Sequence, residues 1–386
     1  MKLVKDPVHG YIALSDQEMQ LVDTYAVQRL RRISQLPFVH LVYPGARHSR
    51  FDHSLGCFHL AGEFASHLGL ESHDANLLKA AALLHDIGHT PYSHLLETLL
   101  MERGVGHEEL SARIIMEDDE LGGRLDSVGV SPDEVVDILR GGCRLSHLIS
   151  GPLDVDRLDF LVRDAYFTGA TYGVIDVKRI IRLSTLSSEG PAVDVKGIGA
   201  VEELALARYH SFVNIYFHHA VRAAQVLFLH GAEKIFENVD LASMSVHEYL
   251  GYDDFTVWCM MRGKRETRWV VERLERRMLP KKVYERTGVG EVPLAQSRRR
   301  LEEEIAMESH VSSEWVYVDS SLAPPLTKYG PSEIRLYSGE GVVQPESWIL
   351  RELSKPIHVV RVYVDRYVED VDRVGEVAGR VISQTR

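Results

Sequence analysis

At 386 residues the chain is longer than one hydrophobic core usually organises, so two domains, or one domain with a large appended lobe, are expected. Hydrophobic residues at 45% and charged residues at 26% exclude a disordered chain. A formal net charge of −12 excludes coating of nucleic acid by a broad basic face, and leaves room only for a local basic pocket.

From the N-terminus, Leu3 to Leu14 mixes β-branched and aromatic residues around His9-Gly10, which predicts a short hairpin before Ser15 or Asp16 caps a helix. No apolar core of signal-peptide length follows Met1, and no run of about 20 apolar residues occurs later, so no membrane partner and a cytoplasmic location are expected. Thr24 precedes an amphipathic pattern with Val27, Leu30 and Ile33 on one face. Helical periodicity recurs at 54–68, with Gly69 as a helix end, and at 75–84, 107–117, 132–140, 154–166 and 198–238. Near 244–254 the composition shifts. Strands are expected at Lys282–Glu285, Trp315–Asp319, Ile334–Tyr337 and His358–Asp365, with helices at 292–308 and 368–383, which is a split β-α-β pattern. The predicted fold is therefore mainly α, a helical core over 1–245 with a smaller C-terminal α+β lobe over 246–386. Cys57, Cys143 and Cys259 lie far apart and form no CxxC pair, so neither a disulfide framework nor a thiolate zinc site is expected.

Nineteen histidines are the compositional excess, several of them clustered between His40 and His107. In ALLHDIGHTPYSH, residues 82–94, His85 and Asp86 stand side by side where an apolar helix ends. Neighbouring helical residues point about 100° apart, so the two can share an ion only if it sits just off the helix and other segments add ligands. Imidazole with carboxylate suits Mn, Fe, Ni, Mg or Zn. His89 lies one turn beyond His85, but Gly88 and Pro91 end the helix, which puts His89 and His94 on a loop. Upstream, His53 stands directly before the 54–68 helix; downstream, Asp156 lies in the carboxylate-rich 154–166 helix. An isolated His-Asp pair is ordinarily a surface or capping feature. The order His, His-Asp, Asp over three helices is far more specific.

These segments resemble the HD-domain superfamily, in particular its deoxynucleoside triphosphate triphosphohydrolase branch, over roughly residues 1–235. The resemblance rests on DPVHGYI at 6–12, QRLRRISQL at 28–36, YPGARHSRFDHSLG at 43–56, HDIGHTPYSH at 85–94, HE at 107–108, LDVDRLDFLVRD at 153–164 and IYFHHAVRA at 215–223. It implies that His53, His85, Asp86 and Asp156 hold a catalytic divalent metal, Asp156 also handling protons, with His94 as general acid. His89 and His107 would hold phosphate oxygens or the water shell of a second metal. Gln35, Arg50 and Arg157 would face phosphate and sugar, Asp164 the 3′-hydroxyl and Tyr216 the deoxyribose. Asp23, Gln28 and Arg31 would read an activating guanine nucleotide at a subunit contact of a homo-oligomer, dimer or tetramer. Two departures stand out: Arg157 replaces lysine and Phe160 replaces tyrosine, so nucleotide preference does not transfer with the motif. Lys5 also replaces the asparagine expected beside Asp6.

The implied reaction is attack of water on the α-phosphorus of a deoxynucleoside triphosphate, releasing deoxynucleoside and triphosphate. Arg47, Arg50, Arg157 and Arg163 would supply local positive charge. Two other readings stand beside it: an HD phosphohydrolase for nucleoside monophosphates, cyclic nucleotides or an alarmone, and a non-catalytic nucleotide-sensing assembly protein. Plainer roles also remain for single residues: Arg50 and Asp164 as helix-surface ion pairs, Gln35 as a cap, Tyr216 as core.

Overall fold

A computed structural model of the chain describes all residues other than 102–103, 188–189, 238, 291–293, 295, 324–333 and 386. Strands β1 (Lys2–Asp6) and β2 (Gly10–Leu14) form the expected hairpin, with Lys2 opposite Leu14 and Asp6 opposite Gly10. Gly10 takes a φ of 83°, which closes the turn. Helix α1 (Asp16–Val22) starts at a Ser15–Glu18 capping box. The amphipathic run after Thr24 is shorter than expected: α2 (Tyr25–Arg29) tightens into a 3₁₀ turn at Leu30–Arg32.

The helical core continues with α3 (Arg50–Leu68), α4 (Ser72–Leu84), α5 (His94–Met101), α6 (His107–Glu117), α7 (Asp119–Ser127), α8 (Pro132–Leu139), α9 (Val155–Thr168) and α10 (Val177–Arg182). Gly69 ends α3 in the left-handed region, as read from the sequence. A hairpin of β3 (Ser184–Ser187) and β4 (Gly190–Asp194) follows, which the periodicity did not reveal. The long helix expected at 198–238 is broken into α11 (Ile198–His210) and α12 (His219–Phe236) by a π turn at Ser211–Tyr216, after which His218 leaves helical geometry to cap α12. Residue 238 lies outside the described residues.

Helices α13 (Val246–Leu250), α14 (Asp254–Gly263) and α15 (Arg265–Glu275) lie in the stretch the expected boundary gives to the lobe. Their buried Val246, Tyr249, Val257, Met261, Val270 and Leu274 nevertheless join the core formed by Leu83, Leu84, Leu158 and Phe228. The C-terminal sheet carries an apolar cluster of its own.

In that sheet the strand Ile357–Val364, later in the chain, lies between β5 (Lys281–Val289) and β6 (Val316–Ala323). Both outer strands run antiparallel to the central one and therefore parallel to each other, joined through α16 (Arg298–Ser309). This is the split β-α-β arrangement. Of the helix expected at 292–308, residues 292, 293 and 295 fall outside the described residues.

The period of two divides the sheet's faces. Val316, Val318, Val360, Val362 and Val364 meet Leu301 and Ile305 of α16 and Val374, Val377 and Val381 of the terminal helix. Tyr317 and Tyr363 point the other way into the helical core, where the Tyr363 hydroxyl donates to the His219 carbonyl at 2.9 Å. The strand expected at Ile334–Tyr337 is reduced to β7 (Leu336–Tyr337) and belongs elsewhere, pairing parallel with β4 and antiparallel with β8 (Val342–Val343). Short α17 (Trp348–Leu353), central strand β9 (Ile357–Val364) and α18 (Val371–Gln384) complete the chain. Among the described residues no helix is long and apolar enough to cross a membrane.

Candidate metal centre

Three helix ends meet at the site. Ser49 and Asp52 form a capping box that starts α3 at Arg50, so His53 lies inside the first helical turn and not ahead of it. Arg50 and His53, three residues apart, then face the same interior space. Helix α4 stops at Leu84, and the Nδ1–H of His85 donates to the freed Ala82 carbonyl at 2.8 Å. Asp154 caps α9 by accepting from the Arg157 backbone N–H at 2.7 Å, which places Asp156 in the first turn.

The four implied metal-facing residues come together. His53 Nε2 lies 3.1 Å from Asp156 Oδ1 and 3.6 Å from Asp86 Oδ2; His85 Nε2 lies 3.4 Å from Asp86 Oδ1 and 3.8 Å from Asp156 Oδ1. His53 Nδ1 donates to Asp159 Oδ2 at 2.8 Å. Both imidazoles thus spend Nδ1–H on an acceptor and turn Nε2 inward, the usual preparation of a metal-binding histidine. Among the described residues the buried His85 Nε2 has no hydrogen-bond partner, an arrangement that a cation would complete. Burial pushes the Asp86 carboxyl up, but Arg50, His85 and His89 outweigh it and hold Asp86 well below the ordinary carboxylate range. Desolvation likewise opposes ionisation of Asp156, and the adjoining His53 and His85 imidazoles keep it low. Two carboxylates and two imidazole nitrogens at these separations fit a hard or borderline divalent ion.

Beside this centre stands a second group. Glu97 accepts from His94 Nδ1 at 2.7 Å and from His107 Nδ1 at 2.6 Å, and the His89 and His107 rings stack at 4.1 Å. His89 Nε2 lies 3.2 Å from Asp86 Oδ1. Burial, Arg50 and His107 hold the His89 imidazole well below its ordinary value, so it is neutral at pH 7. His94 is not on a loop. Tyr92 and Ser93 take positive φ values of 58° and 53°, which turn the chain so that His94 opens α5. That strained turn is held by Asp254 of α14, whose Oδ1 accepts from the Tyr92 backbone N–H at 2.6 Å, and by Phe228 against the Tyr92 ring at 4.2 Å. The His94 side chain is 66% exposed, open to solvent and to an incoming ligand.

A third group brings together Tyr216, Asp164 and His48. Tyr216, in the π turn, donates to Asp164 Oδ2 at 2.5 Å, and His48 Nε2 donates to Asp164 Oδ1 at 2.7 Å. The Gln35 backbone N–H donates to the His48 carbonyl at 3.1 Å, while Gln35 Oε1 is buried and has no hydrogen-bond partner among the described residues.

The arginines divide. Arg50 Nη1 donates to Asp86 Oδ2 at 2.5 Å and its Nε to Ser93 Oγ at 2.8 Å. It is buried, and so is Asp164, which removes both from the class of helix-surface ion pairs. Arg157 is tied to Asp154 and the Gly151 carbonyl. Arg163, expected to add charge for phosphate, is fully buried between Asp159 and Asp6 and cannot serve it. Gln28 Nε2 donates to the Val22 carbonyl at 2.9 Å and Arg31 Nε to Gln28 Oε1 at 2.8 Å, with Arg31 3.5 Å over the Phe51 ring, while Asp23 ends α1 on the surface.

The residues missed from the sequence are Asp159, His9, Glu97 and His48, each a partner of a named one. Asp159 and Arg163 sit four apart on α9, and His94 and Glu97 three apart on α5. Those spacings were the available signal.

With this geometry in place, family comparison is decisive. The model of the HD domain matches residues 50–141, and that of the HD-associated region matches 175–376. The chain belongs to the HD-domain family. Protein MJ1154 of Methanocaldococcus jannaschii is 33% identical over 285 residues, 73% of this chain and 59% of that protein. YwfO of Bacillus subtilis is 36% identical over 247 residues, 61% and 56% respectively. The chain thus spans between half and two thirds of the length of these curated relatives. The human deoxynucleoside triphosphate triphosphohydrolase SAMHD1 is 29% identical over 231 residues, 48% of this chain and 36% of that protein. Among solved structures, a hypothetical protein from Aquifex aeolicus superposes with a TM-score of 0.81 at 28% identity, over 97% of this chain and 99% of the other. A phosphohydrolase from Bacteroides thetaiotaomicron gives 0.76 at 24% identity, over 95% and 100%, and shows the shared fold.

Proposed function

We propose that this HD-domain protein is a divalent-metal-dependent phosphohydrolase that cleaves deoxynucleoside triphosphates to deoxynucleoside and triphosphate. The observation carrying the reading is the convergence of four side chains, with His53 Nε2 3.1 Å from Asp156 and 3.6 Å from Asp86, and His85 Nε2 3.4 Å from Asp86 and 3.8 Å from Asp156. A divalent ion held there would polarise a phosphoryl oxygen and lower the pKa of water, supplying charge neutralisation and nucleophile together. The triphosphohydrolase assignment of the SAMHD1 relatives favours the deoxynucleotide over other phosphoesters.

The chain's own residues divide the remaining work. Neutral His89, stacked on His107, offers ring N–H to phosphate oxygens. Asp164, oriented by His48 and Tyr216, accepts from the 3′-hydroxyl, and Gln35 Oε1 is a second acceptor for the nucleotide. Water attacks the α-phosphorus, the bond to the 5′-oxygen breaks, and that oxygen takes a proton from His94 as the nucleoside leaves. The water's own proton is taken up by Asp156. Glu97 orients the His94 imidazole by accepting from its Nδ1–H, which leaves Nε2 for the leaving group.

His94→Ala is accordingly expected to lower turnover by about 10²- to 10⁴-fold at saturating substrate while divalent-metal affinity stays at the parental value. Unchanged turnover, or loss of metal together with activity, would remove His94 from the acid role. The reading as a whole is tested by incubating metal-loaded protein with each nucleoside triphosphate, alone and in mixtures, and separating the products. Triphosphate and deoxynucleoside are expected; orthophosphate or pyrophosphate would move the protein to another branch of HD chemistry.

A further inference from the structure

The hairpin of β1 and β2 is far in sequence from α3 and α9, yet its turn reaches the back of the metal centre. His9 Nε2 donates to Asp159 Oδ1 at 2.6 Å, and the other oxygen of the same carboxylate accepts from His53 Nδ1 at 2.8 Å. Arg163 completes the arrangement. Its Nε and Nη2 bind Asp159 at 2.8 and 2.9 Å, and its Nη1 donates to Asp6 Oδ2 at 2.8 Å. Asp6 also accepts from the backbone N–H groups of Val8 and His9, at 2.8 and 2.7 Å, so one carboxylate shapes the turn and anchors it. Asp159, Arg163 and His53 have no solvent exposure.

The packing is built to admit this group. A Cβ on Gly56 of α3 would fall 1.9 Å from Asp159 Oδ1 and 2.4 Å from Arg163 Nη2, so only glycine lets the pair press against the helix that carries His53. A buried carboxylate between one imidazole and one guanidinium would be satisfied without the hairpin. The added hydrogen bond from His9 falls on Oδ1, leaving Oδ2 to His53 Nδ1.

We propose that His9 is a positioning residue for the metal centre: docking of the 6–10 turn, through Asp159, fixes the tautomer and ring orientation of His53. The proposal rests on the metal reading above and extends the site to the hairpin. A shift of the hairpin that withdraws His9 loosens His53, so the turn is a point at which anything bound to the hairpin would reach the metal.

The test uses the full chain and Co²⁺ as probe, with affinity measured by chelator competition and the ligand field by visible absorption. Outer partners of metal-binding histidines typically contribute 10- to 100-fold in metal affinity. His9→Ala is expected to weaken Co²⁺ by about that factor and to alter the visible spectrum. His9→Asn, too short to reach Asp159, should behave like His9→Ala and stands in for it if the alanine variant does not fold. His9→Gln, whose amide nitrogen reaches the place of imidazole Nε2, should restore affinity and spectrum, a rescue that generic loosening of the hairpin would not give. Asp156→Ala serves as the reference for the metal reading. Parental affinity in His9→Ala or His9→Asn, or equal weakening in His9→Gln, would overturn the positioning role and leave the metal reading standing. Identical Co²⁺ binding by wild type and Asp156→Ala, or no binding by either, would overturn both.

Discussion

Asp156→Ala is expected to yield a folded protein that no longer retains a stoichiometric divalent ion and hydrolyses nucleotide at least about 10²- to 10³-fold more slowly, the scale of removing one principal electrostatic contributor. Asp156 is the cleanest of the four positions, because its side chain is 35% exposed and its partners are the two imidazoles. Asp86 differs. It is 5% exposed and paired with Arg50, itself 6% exposed, so Asp86→Ala strands a buried guanidinium at a cost of about 3–5 kcal/mol. The helix-end position of Asp86 alone would suggest a harmless substitution; the Arg50 contact reverses that expectation. Metal content after dialysis, measured with thermal unfolding, separates the two variants. Asp156→Ala should lose metal with little change in Tm, and Asp86→Ala should lose both. Stoichiometric metal with parental turnover in Asp156→Ala would contradict the assignment.

Gly88→Ala is expected to be among the most damaging substitutions of a single methyl group in the chain. An added Cβ would stand 2.2 Å from the Ser111 backbone nitrogen and 2.4 Å from the His107 carbonyl oxygen. Backbone on both sides cannot swing away as a side chain can, so α6 must retreat from the turn after α4. Overpacking of this kind costs about 3 kcal/mol or more, which for a chain of 386 residues corresponds to a Tm lower by roughly 4 °C or more. The retreat carries His107 away from His89 and Glu97, so turnover of the fraction that stays folded should fall as well. Unfolding followed by circular dichroism checks the first effect, and hydrolysis well below the new Tm checks the second. A variant with parental Tm would show that α6 does not approach the turn this closely.

The chemistry-bearing side chains were legible because they travel in short motifs: His85 beside Asp86, His53 in RFDHSLG, Asp156 in LDVDRLDF. Their partners were not. His9 meets Asp159 across 150 residues and His53 meets Asp159 across 106, and no local period encodes such contacts. The helix patterns held where apolar residues recur every three or four positions, as in α6 and α8. They failed where a polar exchange ends the helix without glycine or proline, as at the π turn before His218, which places the Tyr216 hydroxyl on Asp164. The strand β7 was misplaced for a different reason. Two residues carry too little alternation to say which sheet they join, and tertiary pairing with β4 decides it. The split β-α-β lobe was readable because β6 and β9 alternate between valines facing one core and tyrosines facing the other.

The central claim is that one divalent ion sits among His53, His85, Asp86 and Asp156. The neighbouring histidines on Glu97 are an alternative, since the ligand atoms of His89, His94, Glu97 and His107 all lie within 4.8 Å of one another. Anomalous diffraction from crystals grown with Mn²⁺ distinguishes the two directly. The strongest anomalous peak is expected within coordination distance of His53 Nε2, His85 Nε2 and both carboxylates. A strongest peak on the Glu97 group, with none between Asp86 and Asp156, would contradict it.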